Sequence, residues 1–269
     1  MSSNHCTFQH SIYHKIGWLY ILLSVSAIAG ILLSVSVNPT WIWLHYLTKP
    51  TAIALLAVWI LLNVKPASIH YCNAIAFGLV FAVGGDICLM LPQDYFLAGL
   101  CCFLITHCAY IYALFCNDRA YRDMGGNDID ISETKKKGFC PKCMILRTIF
   151  TVVAVFALFA AITLLILNGL WNYLPDSMKV PVIVYAVTLA FMAGLAVNRA
   201  ILYPLKKTPS SAQRAANIAA LGGIFFVISD SLLAYSHFYI ENPLSPLWIL
   251  STYYLSQWCF ASSVRRRDQ

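Results

Sequence analysis

Charge is what this 269-residue sequence has least of: Asp, Glu, Lys and Arg together make up 11% of it, and only 11 residues are acidic. A soluble protein carries about 25% charged residues. Here 60% of the residues are hydrophobic, which excludes a soluble enzyme of 30 kDa. Catalytic signatures are missing too. There is no G-x-S-x-G, no H-E-x-x-H, no phosphate-binding P-loop and no dinucleotide-binding glycine fingerprint. Histidines are few and scattered (His45, His70, His107 and His237 near the apolar runs), so a three-histidine zinc site finds no support and no cofactor is expected. A cleavable leader is not expected either. The first apolar run is long, lacks an A-x-A-like exit and is followed by further runs.

What fills the chain instead is apolar runs of the length that spans a bilayer. Eight are read, at about 16–37, 48–64, 71–91, 95–116, 145–168, 180–202, 214–238 and 245–262, the second being the shortest. The expected fold class is therefore all-α, a polytopic membrane protein of eight transmembrane helices. With eight spans, the termini and the even-numbered connections share one side. Of the 18 Lys and Arg residues, all but Lys49 and Lys179 fall on that side. Such a bias marks the cytoplasmic face, so both termini are expected there. The net charge of +7 is thus a topology signal with contacts to anionic lipid heads, not a nucleic-acid footprint. A bacterial inner membrane and an endoplasmic reticulum fit equally well.

Most of the ten cysteines lie inside the spans, where a thiol behaves as a small hydrophobe. Cys140 and Cys143 form C-P-K-C, half of a zinc site whose partners would come from Cys6, His10 or His14; a solvated loop with two reduced thiols is the simpler reading. The polar stretch 117–144 reads as a cytoplasmic linker. It divides a single membrane domain (1–269) into a first half, 1–116, and a second, 145–269, expected to be parallel four-helix repeats around a polar cavity. Each half holds a span expected to start at a Lys–Pro region, Lys49-Pro50 and Lys179-Val180-Pro181.

Two of the few acids sit deep in apolar runs: Asp86 in FGLVFAVGGDICLML and Asp230 in GGIFFVISDSLLAY. Burying a carboxylate in hydrocarbon costs roughly 3 kcal/mol on insertion scales, so an intramembrane acid marks a functional site by default. Laid Asp on Asp, the runs also pair Gly78 with Gly222, Phe81 with Phe225, Val83 with Val227 and Leu89 with Leu233. Depth, counted at 1.5 Å per residue, puts Asp86 roughly 8 Å and Asp230 roughly 12 Å below the outer helix ends. Lys49, His107, Tyr185, Tyr253 and Gln257 fall in the same half, predicting one polar cavity opening away from the cytoplasm. Two carboxylates there do not both ionise readily, which suits an acid and an anion acting together. Lys49 would hold one carboxylate ionised, or contact a lipid phosphate, or simply lock a buried acid. Ser229 could bind substrate, Ser229 and Ser231 could equally bond only to backbone, and the flanking glycines allow close helix packing.

These residues resemble a known family. GGDICLML at 84–91, the FLAGLCCFLITHCAYI stretch, PVIVYAVTLAFM at 181–192, ISDSLLA at 228–234 and YYLSQ at 253–257 are similar to the YhhN family of lysoplasmalogenases, in order and across nearly all eight spans. Ala82, where serine is frequent, and the long C-P-K-C loop depart from the pattern. The resemblance implies hydrolysis of the vinyl ether of a lysoplasmalogen, a lysophospholipid, to a fatty aldehyde and glycerophosphocholine or glycerophosphoethanolamine. Asp86 and Asp230 would share the acid and anion roles, with Lys49, His107, Tyr185, Ser229, Tyr253 and Gln257 binding substrate. The rival readings are a proton-coupled lipid or small-molecule transporter using the same pair, and a lipid-sensing or partner-binding protein. Transporters usually advertise broken helices, and neither Asp span contains a proline. The sequence does not fix an oligomeric state.

Overall fold

The computed structural model describes residues 2–63, 66, 68–91, 95–123, 141–203, 210–240 and 242–264, with side chains from residue 15 and not for 63, 117–123, 141–145 or 210. Among them are eight α-helices: α1 (Ser2–Ser36), α2 (Ile42–Asn63), α3 (Ile69–Met90), α4 (Phe96–Asp123), α5 (Pro141–Leu170), α6 (Asp176–Leu202), α7 (Ser210–Phe238) and α8 (Ser245–Ser262). A 3₁₀ turn, Pro39–Trp41, capped by the Asn38 side chain, leads into α2. Seven helices are long and apolar enough to cross a membrane, and the chain is a multi-pass membrane protein.

The second and eighth helices exchange the ranks the sequence gives them. α2 is not short, because it starts at Ile42 rather than near Lys49, and Pro50 lies inside it. Pro181 likewise lies inside α6, which begins at Asp176. A proline in a helix interior removes one backbone hydrogen bond but does not end the helix when neighbours hold it. Lys49 therefore stands about 10 Å in from the start of α2, not at a headgroup-level helix start. α8 is the helix that misses the apolar criterion. Its Tyr253, Tyr254, Ser256 and Gln257 are buried, and a helix wrapped in protein need not be apolar all round. At the linker, α4 runs on to Asp123 and α5 starts at Pro141, so both helices reach into the stretch expected to be loop. Cys140 of C-P-K-C lies outside the described residues, as do the side chains of Cys143, Cys6, His10 and His14.

One core joins seven helices, with Tyr20, Ile53, Ile75, Tyr110, Met192, Phe226 and Phe260 among its buried members. α5 stands outside it, packing Val155 and Phe159 on Ala193 of α6 and Leu170 on Val182. It touches α6 and α7, while among the described residues α4 and α5 make no backbone contact. Two close approaches shape the centre. A Cβ on Gly85 would lie 2.6 Å from the Phe103 ring, so only glycine lets α4 pack that tightly on α3. A Cβ on Gly223 would lie 3.0 Å from the Cα of Ala193, which brings α6 and α7 together at that level.

Candidate active site

The carboxylates occupy two different settings. Asp86, on α3, has both oxygens committed: Lys49 Nζ of α2 lies 3.2 Å from Oδ1, and Tyr253 Oη of α8 donates to Oδ2 at 2.8 Å. Its side chain is 1% exposed. A buried pair of this kind is a lock, because removing one partner strands the other charge at a cost of roughly 3–5 kcal/mol. Of the roles open to Lys49, the structure shows the ion pair.

Asp230, on α7, is held differently. Tyr185 Oη of α6 donates to its Oδ2. His107 Nε2 of α4 lies 2.9 Å from that same hydroxyl and 3.6 Å from Asp230 Oδ2. The longer distance is beyond a hydrogen bond. With the tyrosine donating to Asp230, Nε2 of His107 carries the hydrogen and donates to Tyr185, while Nδ1 is buried with no hydrogen-bond partner among the described residues. Among those residues nothing else binds Oδ1 of Asp230. Its side chain is 11% exposed.

Aromatic rings stand between the two settings. Phe226 meets His107 edge-on at 4.6 Å and Tyr253 at 6.0 Å, and Phe103 meets Tyr253 at 5.8 Å. Above the Gly223–Ala193 contact α6 and α7 leave an open-mouthed cleft, which includes Asp230 but not Asp86 in its wall. Its lining repeats at helical spacing, which puts each set on one face: Val227, Asp230, Ser231, Ala234 and Phe238 on α7, and Val182, Tyr185, Ala186, Leu189 and Ala190 on α6. α4 closes one flank with Phe96, Leu100 and Phe103, and α5 the other with Thr163, Ile166, Leu167 and Leu170. The wall is hydrocarbon apart from Asp230, Tyr185, Ser231 and Thr163.

The remaining expected site residues lie off the cleft wall. Ser229 Oγ donates to the Ile249 carbonyl, a tie between α7 and α8. Gln257 Oε1 accepts from Tyr110 Oη at 2.7 Å, deep in the core. Lys49 and Tyr253 belong with Asp86. Sequence reading passed over Phe103 and Phe226. Phe103 precedes His107 by one helical turn, a spacing that could have placed the two on one face; Phe226 carried no such signal. Among the described residues no three His, Cys, Asp or Glu side chains gather to hold a metal ion.

Chemically, the cleft offers a carboxyl group with one oxygen fixed and one open, in a low-dielectric wall, backed by a hydroxyl and an imidazole. Such a group can hold a proton and deliver it to a weakly basic substrate atom.

Comparison with known proteins adds a family. The human protein named Lysoplasmalogenase TMEM86A (Homo sapiens) is 29% identical over 193 residues, 71% of this chain, and the match spans 65% of that relative's length. No solved structure matches the chain. The YhhN family profile matches residues 44–264, from α2 to just beyond α8, and the chain belongs to the YhhN family.

Proposed function

We propose that this protein is a lysoplasmalogenase that cleaves the vinyl ether of a lysophospholipid by acid catalysis at Asp230. The observation that carries the reading is a single carboxyl group with one free oxygen in the wall of an apolar cleft within a membrane domain. Family membership and the name of the human relative support it.

In this reading Asp230 starts neutral, its proton on Oδ1 and its Oδ2 accepting from Tyr185. The proton passes to the outer carbon of the vinyl ether, and the carbon–carbon double bond becomes an oxocarbenium ion. The new carboxylate lies beside that cation and stabilises it. Water adds to the cation and returns a proton to Asp230. The hemiacetal then breaks its C–O bond to the glycerol oxygen, which takes the proton from Asp230 while the hemiacetal hydroxyl returns one to the carboxylate, releasing a fatty aldehyde and the glycerophospho-alcohol. Tyr185 and His107 position the carboxyl group. Asp86, neutralised by Lys49, serves as a fixed dipole behind the aromatic wall rather than as the acid.

The two halves are read as parallel repeats. Each carboxylate takes one partner from the preceding helix of its own half (α2 for Asp86, α6 for Asp230) and one from the last helix of the other (α8, α4). The basic side is read as cytoplasmic, which puts the Asp230 cleft in the half of the bilayer away from it.

The test is aldehyde release by purified protein from lysoplasmenyl-choline and lysoplasmenyl-ethanolamine, wild type against Asp230→Asn. Aldehyde from wild type and its loss in the variant is the expected result. No aldehyde from wild type, with substrate-dependent proton uptake into liposomes, would sink the enzyme reading in favour of a carrier.

A further inference from the structure

The cleft is graded along its length. Along α7 the polar wall residues Asp230 and Ser231 come first, and Leu233, Ala234 and Phe238 follow towards the helix end. The lining at that end is hydrocarbon, with the His237 imidazole stacked on Phe96. There the first residue of α4, the last of α5 and the last of α7 come together: Phe96, Leu170 and Phe238. Phe96 meets Phe238 edge-on at 5.2 Å and stacks on His237 at 3.9 Å, which roofs this end between α4 and α7. Leu170 is fully buried against Val182. Asp230 and Phe238 are eight residues apart on one helix, so the carboxyl group and the roof are separated by roughly 12 Å. Ala234, one turn beyond Asp230 on the same face, marks the midpoint at roughly 6 Å. Among the described residues, α7 presents no polar side chain to the cleft between Ser231 and Phe238. Such a stretch suits a straight hydrocarbon chain.

The flank matters as well. α4 and α5 both line the cleft, yet among the described residues they make no backbone contact, so only side chains such as Leu100 and Ile166 stand between the cleft and the surrounding bilayer. Both residues are only partly buried. A lipid chain can enter sideways here without crossing water.

We infer that the Asp230–Phe238 stretch is a hydrocarbon ruler: it takes the aliphatic chain of a single-chain lipid through the α4–α5 flank and selects chain length at the Phe96–Leu170–Phe238 roof. The inference rests on the reading of Asp230 as the reacting group, and it names the part of the substrate the enzyme measures. Each methylene denied burial costs about fourfold in affinity. Ala234→Phe places a ring halfway along the ruler, and Phe238→Ala opens its end.

The experiment has two arms. In the first, aldehyde release is measured on lysoplasmenyl-ethanolamines with a series of alkenyl chain lengths. Ala234→Phe is expected to lower kcat/KM for long chains on the order of 100-fold relative to short ones, and Phe238→Ala to shift the optimum towards longer chains. In the second, the same proteins bind non-cleavable alkyl-ether lysolipids of matched lengths. This arm reads the ruler even if no aldehyde is ever released, so failure of the enzyme reading and failure of the ruler separate. Thermal unfolding checks that each variant is folded, and should Ala234→Phe not fold, Phe238→Ala alone decides. Losses uniform across chain length in both arms, or an unmoved optimum in Phe238→Ala, overturn the inference.

Discussion

Asp86 and Asp230 occupy matching positions in matching segments, yet the molecule treats them oppositely. Asp86 is sealed: an ammonium on one oxygen, a phenol on the other, and 1% exposure. Asp230 is left half-tied, with Oδ2 taken by Tyr185 and the carboxyl group in a cleft wall. The lesson is that a repeated intramembrane acid need not have a repeated setting. One copy is fixed as an ion pair while the other has one oxygen without a hydrogen bond among the described residues, and the partner on the preceding helix differs (lysine on α2, tyrosine on α6).

Breaking the contrast at Asp230 should have the largest effect. Asp230→Asn keeps an acceptor for Tyr185 but has no proton to give, so aldehyde release should fall on the order of 10³-fold while the unfolding temperature stays near that of wild type. A variant with wild-type turnover would end the assignment of roles. At the other carboxylate the loss should appear in stability first. Asp86→Asn strands Lys49 in the core and should cost roughly 3–5 kcal/mol, and the double change Lys49→Met with Asp86→Leu should recover most of it, as read by denaturation in detergent. If the double variant is as unstable as the single one, the pair is not the lock described above. Tyr185→Phe removes a hydrogen bond that strengthens as Asp230 becomes a carboxylate, an interaction worth roughly 1.5–3 kcal/mol once the acceptor is charged. It should lower kcat about 10- to 100-fold with KM little changed, whereas Tyr253→Phe should move unfolding more than turnover. Ser229→Ala is the smallest perturbation, deleting one α7–α8 hydrogen bond for about 0.5–1.5 kcal/mol and leaving turnover unchanged. A large kcat defect there would bring Ser229 back to the site.

Much of this was legible in the sequence, and the parts that were not have physical reasons. Apolar runs of bilayer length gave the helices, since a lipid environment demands them. Intramembrane cost singled out Asp86 and Asp230, and counting 1.5 Å per residue put Lys49, His107, Tyr185 and Tyr253 in the same half as the acids. Depth, however, says nothing about azimuth. Which side of a helix faces which neighbour decided that Lys49 meets Asp86 and that Gln257 meets Tyr110. Close glycine contacts are part of that packing, Gly78 on Tyr110 and Gly85 on Phe103 among them, and no local pattern reveals what a glycine is pressed against. The starts of α2 and α6 were misread because proline usually opens a helix, while here Pro50 and Pro181 are carried inside. Polarity was expected around the acids, but the cleft is oily because its wall comes mostly from residues with no signal beyond hydrophobicity.

The Lys49–Asp86 pair also bears on how the chain gets into the bilayer. α2 carries the cation and α3 the anion, and each alone adds to the cost of leaving the translocon, up to the roughly 2.5–3.5 kcal/mol of a charge at a helix centre. Neutralising one with the other requires both to be present, so α2 has reason to linger beside the insertion machinery until α3 emerges, and the two then partition as a hairpin. The lock on Asp86 is in that sense also a biogenesis signal.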